Sequence, residues 1–111
     1  MPLLLLYDEY ELPDLPGEEE QALALELGAE GLNRIDEAIM SSAKAYWQKV
    51  ARVIHDAIKA GNFSCWDAEA VGHLHTRRVM ELVASGALEA QGYLGRPRFS
   101  EVRIPNAQNQ H

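Results

Sequence analysis

Apolar residues recur at helical spacing through the middle of the chain and change to strict alternation near its end. Trp47, Val50, Ala51, Ile54 and Ile58 fall at i, i+3, i+4, i+7 and i+11, and Tyr46, Val53 and Ala57 widen this stripe. Gln48, Lys49, Arg52, Asp56 and Lys59 occupy the opposite face. The pattern predicts an amphipathic helix over 43–60, stopped by Gly61 and Asn62. A second stripe of Ala68, Val71, His75, Val79, Leu82 and Val83, flanked by Leu74, predicts a helix from about Cys65 to Gly86. Ser64 is its expected N-cap, with Asp67 reaching back as in a capping box, and Gly86 supplies a left-handed stop. Upstream, Leu32, Ile35 and Ile39 predict a helix over 32–40 that Ser41 and Ser42 interrupt. Glu18 to Leu27 predicts a further short helix, with three glutamates at its positive end and Gly28 as its stop.

Beyond Gly86 the period falls to two. Leu88, Ala90 and Gly92 alternate with Glu89 and Gln91, and Phe99, Glu101 and Arg103 alternate with Ser100, Val102 and Ile104. Two glycines and a proline in Gly92–Pro97 turn the chain between these runs, which predicts a β-hairpin ended by Pro105. The expected organisation is an extended acidic arm over 1–17, one domain over 18–105 and a polar tail over 106–111. The fold class that follows is mainly α with a C-terminal β-hairpin, in the order of a winged helix-turn-helix domain.

A chain of 111 residues that is 47% apolar can bury one compact core, and this composition excludes the disordered class. The single cysteine, Cys65, excludes an internal disulfide and points to no oxidising compartment. The apolar run Leu3–Tyr7 is too short to span a bilayer and no positive residue precedes it, so a cytoplasmic protein without membrane attachment is expected. Net charge is −7, unevenly distributed. Residues 1–42 hold eleven acids against one base, whereas residues 43–111 hold nine bases against six acids. An acidic arm and first helices therefore precede a mildly basic remainder.

Four separated segments resemble, in order, a bacterial domain of unknown function, the one numbered three-six-five-eight. They are Ile35-Asp36-Glu37-Ala38-Ile39, Trp47 to Ile54, Arg78 to Gly92, and Arg98-Phe99-Ser100-Glu101-Val102-Arg103. The resemblance covers about residues 30–105 and implies a winged-helix-like fold, with Arg78 at the family's arginine position; it implies no particular chemistry. In that family the domain is often joined to a second uncharacterised domain, and here the acidic arm stands in that place.

A winged helix suggests duplex DNA as partner, with the recognition helix in the major groove and the wing on phosphates. With His75 turned to the core, His73, Thr76 and Arg77 would face outward, and Arg96 and Arg98 would stand at the wing tip. These five are the candidate nucleic-acid contacts. Against them weigh Asp67 and Glu69 at the helix start, the overall acidity, and the reading of Arg77 and Arg78 as a solvated face paired with Glu81, and Arg78 also with the arm. The alternative is a protein-interaction or dimerisation module with no DNA contact. Leu3, Leu4, Leu5, Leu6 and Tyr7 are its candidate interface, because five consecutive apolar residues are costly to leave in water at about 25 cal/mol per Å². A homodimer is the expected assembly. Cys65, His73 and His75 match no zinc spacing, and the chain carries no nucleophile elbow or phosphate-binding glycine loop. No metal, cofactor or enzymatic activity is expected.

Overall fold

The computed structural model describes residues 10–63 and 66–105, so Leu3–Tyr7, Ser64, Cys65 and the polar tail lie outside the described residues. Helix α1 spans Glu18–Ser42, strand β1 Gln48–Lys49, helix α2 Val50–Ala60 and helix α3 Ala68–Ala84. Strands β2, Glu89–Gly92, and β3, Ser100–Arg103, follow, with a short 3₁₀ turn Pro97–Phe99 before the last. The strands form an antiparallel sheet in the order β1-β3-β2. Three helices with a small C-terminal sheet make this a winged-helix-like domain, as the change of hydrophobic period predicts.

Several predicted boundaries differ. The helices expected over 18–27 and 32–40 are one element, kinked at Gly28, whose φ of 64° and ψ of −173° suit only a residue without a side chain. Glycine thus breaks the helical path where expected, but the chain resumes its helix at once. The helix expected from Ala43 starts instead at Val50. Ala43 is extended, its N–H closing on the Ile39 carbonyl, and Gln48 and Lys49 pair with Val102 and Glu101. Strand β3 takes a neighbour on each side, and that pairing outweighs the helical periodicity of 46–49. Trp47 accordingly lies outside the helix, half-buried, with the Arg103 guanidinium 4.4 Å above its ring.

Helix α3 is capped by Asp67, whose carboxylate accepts from the Ala70 N–H at 2.9 Å. The helix therefore begins after Asp67 and not at Cys65. Its other end is as expected: Gly86 has φ of 86°, and the Ala87 and Leu88 N–H groups close on the Leu82 carbonyl. Ile35 and Ile39 of α1, Val53, Ile54 and Ala57 of α2, and Val71 and Val79 of α3 meet Phe63, Leu88 and Val102 in one core. His75 belongs to that core and is fully buried. No helix among the described residues is long and apolar enough to cross a membrane.

Candidate nucleic-acid interface

The face of α3 that a winged helix would offer to a DNA groove is closed from within the chain. Thr76, expected to point outward, is fully buried, and its hydroxyl donates to the Gly72 carbonyl at 2.8 Å. It adds to the packing and not to an exposed face. Arg77 is mostly buried, with its Nε donating to Glu20 Oε2 and its Nη2 to the Pro13 carbonyl at 2.8 Å. Its partners are the first turn of α1 and the arm, and not Glu81. The His73 ring faces that of Tyr10 at 5.7 Å, and its Nδ1 stands 3.9 Å from Glu20 Oε1.

Residues 10–17 are the strap that does this. Leu12 is buried and its N–H donates to the Gly95 carbonyl at 2.7 Å, which ties the strap to the turn of the wing. The Tyr93 hydroxyl reaches Glu11 Oε2 at 3.5 Å on the same side. Burial pushes the Tyr10 hydroxyl up to about 12, and the nearby Glu20 charge acts in the same sense. The strap thus runs from the wing turn across α3 and into α1, over the surface expected to meet DNA.

Arg78 turns to the other side of α3. It grips Asp36 with two hydrogen bonds of 2.9 and 2.8 Å, and this pairing holds its guanidinium more firmly protonated than usual. Arg78 is thus a partly buried structural contact and not part of a solvated face, with Asp36 as its partner in place of Glu81 or the arm.

The wing keeps an exposed tip. Arg98 is exposed, Tyr93 and Phe99 are each about half exposed, and the Arg96 guanidinium lies 4.7 Å over the Phe99 ring. Of the five candidate contacts, Arg96 and Arg98 stay together at this tip, while His73, Thr76 and Arg77 belong to the strap contact. Sequence reasoning missed Tyr10, Leu12 and Glu20 as its other members. Glu20 reads locally as an ordinary first-turn acid, and nothing nearby announces an arginine 57 residues away. Leu12 and Leu15 are the two aliphatics among the acids and prolines of the strap, and only the structure shows that Leu12 is the buried anchor while Leu15 is exposed. Among the described residues no group of three or more His, Cys, Asp or Glu is placed to hold a metal ion. Comparison with protein-family models, with curated proteins and with solved structures gave no match.

Proposed function

We propose that this protein is a protein-interaction module on a winged-helix-like scaffold, acting by binding and without reading DNA through α3. The observation that carries this reading is the strap. Buried Leu12 and the Arg77–Glu20 pair fill the place of a DNA backbone, and the strap and first turn of α1 are rich in carboxylates that would repel one. The net charge of −7 works in the same direction. Four segments similar to a bacterial domain of unknown function support the fold and leave the chemistry open. Cytoplasmic placement is part of the same proposal and rests on the solitary cysteine.

One observation favours a second reading. The exposed Arg98 shares the wing tip with two half-exposed aromatic rings, an arrangement that can take phosphates and bases without help from α3. Retention on random-sequence duplex DNA separates the two. The interaction reading expects no retention even at low salt. Retention that drops steeply as salt rises, and disappears in an Arg96→Ala, Arg98→Ala double variant, would establish the wing reading instead.

The proposed assembly is a homodimer in which Leu3, Leu4, Leu5, Leu6 and Tyr7, which directly precede the strap, supply the apolar contact. Light scattering should give twice the chain mass, falling to the single-chain mass when Leu4 and Leu6 are both replaced by aspartate. A mass indifferent to those replacements would remove this interface.

A further inference from the structure

We propose that the cleft between α1 and the N-terminal end of α3 docks a basic, amphipathic segment of a partner protein. The inference rests on the interaction reading above and names the chemistry of the partner. Helix α1 forms one bank of the cleft from Glu18 to Arg34, across its kink at Gly28, and Trp66 with the first turn of α3 forms the other. Three open hollows of about 420, 280 and 400 Å³ lie along it in that order. The first two share Glu19 and Ala70, and the second and third share Glu26 and Trp66, so the hollows adjoin one another along α1.

Its chemistry is layered. Ala22, Leu23, Leu27, Ala70 and the half-buried Trp66 make an apolar floor. Glu18, Glu19, Glu26, Glu30, Asp67 and Glu69 stand along the rim, all exposed, and among the described residues Arg34 at the far end is the only base lining it besides His73 at the near end. A ligand that satisfies both layers carries apolar side chains flanked by lysines or arginines, and Trp66 adds a ring face on which a cation can sit. Phosphates would meet six carboxylates.

A buried group at the near end points to the same ligand. Glu20 lines the first hollow with its side chain only 3% exposed, and its Oε1 has no hydrogen-bond partner, although Oε2 is held by Arg77. His73 Nδ1 stands 3.9 Å from Oε1, outside hydrogen-bonding distance. That oxygen is closed to solvent, so an ammonium or guanidinium in the hollow would supply the missing donor once the side chains that line it shift. The strap's Pro13 and Leu15 wall this end, so the groove is open while the strap stays in place.

Emission from Trp66 tests the proposal. The chain has two tryptophans, and Trp47→Phe in the full-length protein leaves Trp66 as the only reporter. The probe is a helical peptide of leucines and lysines with a one-sided apolar face; its control carries glutamate for lysine. We expect saturable binding of the lysine peptide, weakened by salt, and none of the control. Glu26→Lys with Glu30→Lys should weaken binding at least about tenfold, since like charges would then face each other across the contact. Glu37→Lys with Glu81→Lys, which changes the net charge equally outside the groove, should alter it by less than about twofold. No saturable signal, equal binding of the control peptide, or equal loss in the two charge-reversed variants would each overturn the groove. Such a failure without DNA retention leaves the interaction reading in place, whereas DNA retention removes that reading whatever the peptide does.

Discussion

Acidification should cost this protein about 3 kcal/mol of stability through His75 alone, between its ordinary value of 6.5 and the value near 4 that the fold imposes. Burial is the main cause, and it outweighs the opposing hydrogen bond to the Val71 carbonyl and the more distant Asp36 charge. Nδ1 donates to that carbonyl at 2.8 Å, so the neutral ring carries its proton there. Nε2 is buried without a partner, and the ring meets Phe63 edge-on at 5.3 Å. A second proton on Nε2 would therefore be a buried charge without a hydrogen-bond acceptor. The unfolded chain takes up its proton from pH 6.5 downward, whereas the folded protein resists until about 4. Stability is full above the upper value, falls through the window and levels off, as far as this group is concerned, below it. Chemical denaturation across that range checks the expectation against a His75→Leu variant. As pH falls, the parent protein should lose about 3 kcal/mol relative to the variant, because the variant keeps every carboxylate and loses only the imidazole. Parallel curves would show that His75 is not held neutral by the fold.

Arg77→Ala should destabilise the protein by about 3 kcal/mol, far more than removal of a surface arginine, which changes stability by about 0.5 kcal/mol or less. The reason is what the substitution leaves behind. Glu20 would remain buried with its principal counter-charge gone, and the Pro13 carbonyl would lose the donor that holds the strap. Adding Glu20→Gln should recover much of the loss, since a neutral amide costs less to bury than an unpaired carboxylate. Proteolysis within residues 10–17 should accelerate in Arg77→Ala and slow again in the double variant. A change within surface range would mean that Arg77 is solvated after all, which is what the DNA-facing reading requires. The result therefore bears on function as well as on packing.

Much of the architecture is legible in the chain because it depends on neighbours a few residues apart. The stripe from Val50 to Ile58, the stripe from Val71 to Val83, the left-handed Gly86 and the alternation after Leu88 each encode their element locally. Other features have no local signal. Lys49 and Gln48 read as the polar side of a helix, and only the arrival of Val102 and Glu101, some fifty residues later, makes them a strand. Spacing places Thr76 one position beyond the core stripe, yet it is fully buried; Glu20 of α1 and Pro13 of the strap together turn Arg77 from a candidate DNA contact into a packed one.

Residue order by itself determined four helical segments, the first two of which the fold joins, a hairpin, a single core with His75 inside it, and an acidic leading portion, since periodicity and turn chemistry operate within about one turn of helix or strand. Only the tertiary structure decided what the arm covers, where Glu20 finds its arginine and which side of α1 remains open. Those outcomes depend on surfaces meeting across tens of residues. There, burial of Leu12 and the pairing of two desolvated charges choose among contacts that local pattern leaves equivalent.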